Sequence, residues 1–433
     1  MALSDSITIR PLDKPPQATI RVPGSKSITN RALVLAALQN NCDECVLSGA
    51  LRSEDTEVMV RALQQLGFRI EAQWPTVRVI RSTGPRVVPA SFADLFVGNS
   101  GTTMRFLTAL VALGNGRYRL DGVERMRERP IEDLLGALRQ LGVTAYSENK
   151  NGCPPVVVEA NGLEGGTVRI KGDLSSQFLS GLLLAAPLAR SDVIIAVEGP
   201  LVSTPYVTMT LEMMRRAGIP VRTRGLSHFH VAAPRSYNLV HYDVEADASA
   251  ASYFFGAAAI TRGKITVGID IEDPDLPPLQ GDFRFVDVLQ KMGCQVKRFA
   301  YGVCLQGEHL RGIDVDMNDI SDTVMTLAAV ACFAEGPTTI RNVAHIRHKE
   351  TDRLAALATE LRRVGADVDE FADGLTITPR PLHGAEIETY NDHRMAMSLA
   401  LLGLKVPGIV IKNPGCVAKT YPGFFADLEK LRC

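Results

Sequence analysis

Excess charge is the first thing this chain lacks: 47 lysines and arginines stand against 48 aspartates and glutamates, a formal net charge of -1 over 433 residues. A protein without a surplus of either sign has no broad field for nucleic acid or another polyanionic surface. Long apolar runs are missing too. Stretches such as Leu182 to Ala189 are far shorter than a bilayer span, and this one holds Pro187, so no membrane crossing is expected. Near the amino terminus Asp5, Arg10 and Asp13 break up short apolar pairs, which leaves no signal-peptide core and points to a cytoplasmic protein. Eight cysteines in a chain of this length read as reduced thiols rather than a disulfide framework. Cys42-x-x-Cys45 has no second pair downstream, which argues against a zinc or redox site. His228-x-His230 alternates with Phe229 and Val231, like the polar face of a strand.

Nucleotide-loop signatures are absent as well. The pattern G-x-x-x-x-G-K-[ST] laid over Lys26 puts Ile20 and Ser25 where glycines are required, so the phosphate-loop match fails. No G-x-G-x-x-G follows a strand, and no metal-ligating constellation stands out. Neither a metal nor a cofactor is expected, and neutralising an anionic ligand falls to Lys and Arg.

What is present is repetition. A polar turn opening a small-residue helix recurs every 74 positions, at Gly24, Gly98, Gly172, Ala246 and Ile320, with a sixth at Asn391-Asp392 after 71 more. Hydrophobe-Gly-hydrophobe stops repeat the period at Gly67, Gly142, Gly218, Gly293 and Gly365, in steps of 75, 76, 75 and 72. The unit is longer than a solenoid turn and carries no tetratricopeptide, ankyrin or leucine-rich signature, so each copy is expected to be a small αβ subdomain. With 46% hydrophobic and 22% charged residues the chain is globular in composition and too long for one core.

In the first copy, Ser25 or Ser27 is placed to cap a helix running through Asn30 and Arg31 to Leu38. Val46 to Gly49 reads as a strand and turn, and Ser53 followed by Glu54, Asp55 and Glu57 opens a second helix ending at Gly67. Phe68 to Ile70 and Val77 to Ile80 alternate like two strands around a turn near Trp74-Pro75. The expected fold is α/β: two domains, each of three βαβαββ repeats around a pseudo-threefold axis, with the small-residue first helices buried inside.

Three helix starts on one face of each domain would gather unpaired N–H groups and partial positive charge, each worth about 0.3–1 kcal/mol toward an anion. Cations at those starts, Lys26, Arg31, Arg105 and His393-Arg394, run against the helix dipole, and a bound anion explains them better than folding does. Further bases sit before the second helices: Arg125, Arg127 and Arg129, then Lys349 and Arg353, then Lys419. Among them stand two acids, Asp322 and Glu350, either partners in structural ion pairs or groups that move protons on a substrate the cations hold.

Pro23-Gly24-Ser25-Lys26-Ser27-Ile28-Thr29-Asn30-Arg31, Gly98-Asn99-Ser100-Gly101-Thr102, Arg125 to Pro130, Ser175-Ser176-Gln177-Phe178, Lys349-Glu350-Thr351-Asp352-Arg353-Leu354 and Asn391-Asp392-His393-Arg394-Met395-Ala396-Met397 resemble the signatures of the 5-enolpyruvylshikimate-3-phosphate synthase family. The resemblance covers essentially the whole chain. It implies an inside-out α/β barrel architecture in two domains that close like a clamp, one of residues 25–244 and one of residues 1–24 and 245–433, with hinges near Val22 to Gly24 and Asp243 to Asp247. It also implies transfer of the enolpyruvyl group of phosphoenolpyruvate to the 5-hydroxyl of shikimate 3-phosphate, without cofactor or metal, by a monomer acting on small molecules.

By the same resemblance, Lys26, Ser27, Arg31, Ser175, Ser176, Gln177, Ser203, Asp322 and Lys349 hold shikimate 3-phosphate. Lys26, Asn99, Gly101, Arg125, Gln177, Arg353, Arg394 and Lys419 hold phosphoenolpyruvate. Lys26, Asp322 and Glu350 are the catalytic set, Asp322 accepting the hydroxyl proton and Glu350 protonating the methylene carbon. The first domain thus carries most of the shikimate 3-phosphate site, and the second carries the acid and base and much of the phosphoenolpyruvate site. Glyphosate, which resembles phosphoenolpyruvate, is the inhibitor implied. Three positions depart from the family's habit: His345 where asparagine is common, Phe106 where proline is, and Ser100 where alanine is. Two rival readings are a sister family that transfers enolpyruvyl to UDP-N-acetylglucosamine, whose usual reactive cysteine is missing between Asp121 and Pro130, and a non-catalytic phosphate-binding protein, which would have little use for both acids.

Overall fold

A computed structural model describes residues 5–82, 84, 86–268 and 279–432. Each repeat contributes one first helix: Lys26–Leu38, Gly101–Val111, Ser176–Ala185, Ala248–Thr261, Val324–Ala331 and His393–Ala400. Their residues are small or apolar on every side, and a helix of that kind is stable only when surrounded. Every residue of Gly101–Val111 and of Ala248–Thr261 is buried accordingly. The second helices, such as Glu54–Gln65 and Arg353–Arg363, bury one face only. A sheet in each repeat covers the remaining side.

The sheets share one plan. In the second repeat, strand Phe92–Phe96 runs parallel to Asn115–Asp121, which pairs antiparallel with Val156–Asn161, itself antiparallel to Thr144–Ser147. The third and fifth repeats follow the same order. The first repeat differs from the simple expectation. Its leading strand, Gln17–Arg21, pairs in parallel with Lys264–Gly268 of the fourth repeat, while His241–Asp243, which precedes the fourth helix, pairs with Glu44–Ser48 of the first. The two leading strands are exchanged. In the sixth repeat, Ser6–Ile9 from the amino terminus adds antiparallel to Ile409–Lys412.

The chain divides into two compact units: an inserted unit, Gly24–Val244, and a flanking unit made of the described chain up to Pro23 and from Glu245 onward. In the inserted unit, Arg31 ties the first helix to its neighbours by bonding Ser180 and Thr210. In the flanking unit, Ser252, Thr326 and Ser398, at spacings of 74 and 72 residues, join the three first helices through hydroxyl contacts of 3.2 Å each. The helices approach closely there: a Cβ on Gly256 would lie 2.8 Å from Thr326 Cγ2.

Local signals in the sequence meet mixed outcomes. Ser53 opens its helix as expected, with Thr56 Oγ1 accepting its backbone N–H at 3.0 Å. Ser25 occupies the cap position of the first helix without a capping side-chain bond, and Ser27 lies inside the helix. His228–Val231 is a strand with His228 outward and Phe229 and Val231 buried. The recurrent glycine stops all take positive φ, among them Gly67 at 91° and Gly218 at 84°.

Those two glycines separate backbone strain from packing. A Cβ at Gly218 would meet only Asn238 Cβ at 3.7 Å, whereas at Gly67 it would press on Pro89 Cβ at 2.8 Å. Gly218→Ala is therefore expected to cost about 1–2 kcal/mol through its left-handed backbone alone. Gly67→Ala, in the same unit, should cost clearly more. Urea titration of both variants checks the order, and equal losses would contradict it.

Candidate active site

The inserted unit gathers its motif residues at the amino ends of its first helices. Lys26 is the first residue of its helix, and its ammonium lies 3.4 Å from Asp55, a buried acid in the first turn of Glu54–Gln65. Ser175 caps the third helix by accepting the Gln177 N–H at 3.2 Å, and the Gln177 amide reaches back 3.2 Å to Thr102 Oγ1 at the start of the second. The helix starts of the second and third repeats are thus neighbours, as the anion-trap argument requires. Ser176 is buried beside them, and Ser203, in a left-handed conformation, leads into Thr204–Arg216.

Asn99 is held by Arg129, whose guanidinium contacts its side-chain and backbone oxygens at 3.3 Å each. The same guanidinium lies over Gly101, where a Cβ would stand 2.5 Å from Nη2. Arg125 pairs with Glu128 at 2.7 Å. Two cations read as anion ligands turn inward instead. Arg31 is 2% exposed, bonds Thr210, Ser180 and the Ser27 and Tyr206 carbonyls, and stacks on Phe106 at 5.1 Å. Arg105 donates to the Pro130 carbonyl. Both are one turn inside their helices, where the side chain leans against neighbouring helices rather than past the helix end.

In the flanking unit Asp322, Glu350, Arg353, Arg394 and Lys419 form one connected network. Asp322 is shared, with Oδ1 3.2 Å from Arg353 and Oδ2 2.6 Å from Arg394. Arg353, 1% exposed at its side chain, also donates to Glu350 at 2.9 Å and to Asp392 at 2.8 and 3.3 Å. Glu350 in turn lies 3.9 Å from the Lys419 ammonium. Burial works against the Arg353 charge, yet Asp392, Glu350 and Asp322 together hold its proton more firmly than usual. Lys349, half-buried, ends the turn Ala344–His348. Among the described residues no group of three or more His, Cys, Asp or Glu side chains could hold a metal.

Sequence comparison decides the family. The profile of the EPSP synthase (3-phosphoshikimate 1-carboxyvinyltransferase) family matches residues 13–428. The chain belongs to the EPSP synthase family. It is 51% identical to 3-phosphoshikimate 1-carboxyvinyltransferase of Nostoc punctiforme, over 97% of this chain and 98% of the relative. It is 46% identical to the chloroplastic protein of that name from Arabidopsis thaliana, over 95% and 82%. Among solved structures, EPSP synthase from Acinetobacter baumannii matches with a TM-score of 0.80 at 26% identity, covering 99% of this chain and 98% of that one.

The departures from the habits of the EPSP synthase family have structural readings. Ser100 caps its helix, accepting the Thr103 N–H at 3.4 Å. Phe106 is the buried ring beneath Arg31. His345 is buried against Ser321, Nε2 to Oγ at 2.9 Å, and burial followed by the charge of Lys349 pushes it down to about 3. Residues to which the sequence assigned no substrate contact supply the partners: Asp55 for Lys26, Arg129 for Asn99, and Asp392 for Arg353. Asp392 is in plain view in the sixth polar turn, beside His393-Arg394, but nothing there marks it as a counter-ion.

Two outcomes follow. Because His345 is held neutral, protons bind it only in the unfolded chain between about pH 6.5 and 3, so it costs stability as pH falls through that window. His345→Asn should reduce the stability lost between pH 7 and pH 5 by on the order of 2 kcal/mol, and denaturant titrations at the two pH values that show an unchanged loss would refute this. Gly101→Ala must displace Arg129. If Asn99 and Gly101 hold phosphoenolpyruvate as the resemblance implies, it should raise the Michaelis constant for that substrate about tenfold, the value of one charged hydrogen bond, with the melting point little changed.

Proposed function

We propose that the chain transfers the enolpyruvyl group of phosphoenolpyruvate to the 5-hydroxyl of shikimate 3-phosphate in aromatic amino acid biosynthesis. In this reading Lys26, Ser27, Ser175, Ser176, Gln177 and Ser203 of the inserted unit hold shikimate 3-phosphate, with Asp322 and Lys349. Arg31 serves the same end by bracing the Ser27 carbonyl. Lys26, Asn99, Gly101, Arg125, Gln177, Arg353, Arg394 and Lys419 are assigned to phosphoenolpyruvate, its carboxylate and phosphate matching guanidinium forks and ammonium charges.

The chemistry is addition then elimination. Glu350 donates a proton to C3 of phosphoenolpyruvate, C2 becomes electrophilic, and the substrate hydroxyl adds to it as Asp322 takes the hydroxyl proton. Glu350, now a carboxylate, takes a C3 proton back as the C2–O bond to phosphate breaks and the double bond re-forms, and the proton held by Asp322 leaves with the phosphate. What supports this over mere anion binding is the pairing of both acids with the arginines: Asp322 lies between Arg353 and Arg394, and Glu350 between Arg353 and Lys419. A protein that only trapped anions would gain nothing from carboxylates among its cations. Action as a cytoplasmic monomer belongs to the same proposal.

Phosphate release from phosphoenolpyruvate, measured without added metal, should occur with shikimate 3-phosphate and not with UDP-N-acetylglucosamine. Glu350→Gln and Asp322→Ala should each lower kcat by about a hundredfold or more while shikimate 3-phosphate still binds. Release with neither acceptor, or full activity of Glu350→Gln, would end this reading.

A further inference from the structure

The network around Arg394 extends to a carboxyl that no motif pointed to. Arg394 Nη2 contacts Ser249 Oγ and Nη1 contacts Tyr253 Oη, each at 3.4 Å. Ser249 and Tyr253 lie one turn apart on the buried helix Ala248–Thr261. Behind Ser249 stands Asp282, which accepts the Ser249 hydroxyl hydrogen through Oδ2. Asp282 is 5% exposed and sits on the turn Gly281–Arg284, the turn before the second helix of its repeat. The equivalent turns of the second, fifth and sixth repeats, Glu124–Glu128, Ala344–His348 and Pro414–Lys419, carry Arg125, lead into Lys349 and Glu350, and end at Lys419. The neighbouring Gln280 accepts the Ala248 N–H at 3.0 Å and donates to the Ala246 carbonyl at 2.7 Å, so the segment clasps the start of the helix that carries Ser249.

We propose that Asp282 is a positioning residue, which acts through Ser249 to aim the Arg394 guanidinium at the anionic substrate. The proposal rests on the transferase reading above. Its physical reason is a conflict of charges. Arg394 and Arg353 share Asp322, and two guanidinium groups on one carboxylate repel each other. A second carboxylate placed directly on Arg394 would steady it but cancel the charge that an anion needs. A carboxyl one hydroxyl removed avoids this: it polarises Ser249, whose oxygen becomes a better acceptor for Arg394, and hydrogen bonds linked in this way strengthen one another. Asp282 is electrostatically part of the site, since burial and then the Asp322 charge push it up from the usual carboxylate range while Arg394 pulls it down.

The test is steady-state kinetics of Asp282→Ala, Asp282→Asn and Ser249→Ala beside the native chain. The Michaelis constant for phosphoenolpyruvate should rise about tenfold in Asp282→Ala and in Ser249→Ala, with that for shikimate 3-phosphate and the melting point little changed. The double variant should lose no more than either single one, and Asp282→Asn, which keeps shape and an acceptor, should recover most of the loss. If Asp282→Ala does not fold, Ser249→Ala alone carries the test. Unchanged phosphoenolpyruvate constants, or equal losses for both substrates that follow the melting point, would overturn the proposal. Should the native chain release no phosphate at all, the transferase reading fails separately, and the aim of Arg394 is then read by calorimetry, where the same tenfold loss of phosphoenolpyruvate affinity is expected.

Discussion

Burial of the first helices along their entire length is the constraint on which the other features depend. A helix packed on all sides by apolar side chains can satisfy its backbone along its length but not at its ends, where the first N–H groups need outside partners. Polar caps therefore stand at the helix starts, and they recur with the repeat. Ser100, Ser175, Asp247 and Asp392 all accept a backbone N–H at the start of a first helix. The spacing of 74 residues is visible because the bodies of these helices are mostly small and apolar, so the polar turns before them stand out.

The two units treat buried arginine in opposite ways. Arg31 and Arg353 are almost equally inaccessible, at 2% and 1%. Burial pushes Arg31 down to about 10, because its partners are hydroxyls, carbonyls and aromatic faces that carry no formal charge. Arg353 moves the other way, because three carboxylates outweigh the cost of burial. The first arrangement joins helices, with the donors of a still-charged guanidinium taken up by neutral partners. The second keeps full charges on both signs in place, each fixed by the others before any substrate arrives. Taking one ion out of water costs several kcal/mol even after relaxation, so four charged groups at this density contribute little to stability. What such a cluster provides is donors and acceptors that need not reorganise during reaction.

Much of this was legible in the sequence for identifiable reasons. The repeat, the βαβαββ order and the glycine stops rest on local rules, since each needs only a turn, a cap or a period. The acids and bases of the motifs were legible as chemical types, and Asp322, Glu350, Arg353, Arg394 and Lys419 fall into one network in the flanking unit. Direction was not legible. Arg31 and Arg105 looked like Lys26, yet one helical turn of displacement sends their side chains into the helix bundle. Asp282 was hidden because its link to Arg394 runs through a serine 33 residues away, and no spacing rule reports such a contact.

The exchanged strands illustrate the same limit at the level of topology. Gln17–Arg21 and His241–Asp243 occupy the same place in their repeats, each just before a buried helix, and either could lead either sheet by pattern alone. Chain geometry decides. With His241–Asp243 beside Glu44–Ser48, the inserted unit begins and ends at one spot: Gly24 approaches Gly49 so closely that a Cβ would fall 2.0 Å from its carbonyl oxygen, and Val244 lies against the same residue. With Gln17–Arg21 beside Lys264–Gly268, the flanking unit closes over the interruption, and the Asp247 N–H bonds the Pro23 carbonyl at 2.8 Å. Each unit is thereby continuous in three dimensions although only one is continuous in sequence. The unexchanged pairing would give each unit a leading strand attached to the other, and neither barrel of three repeats would close on its own residues.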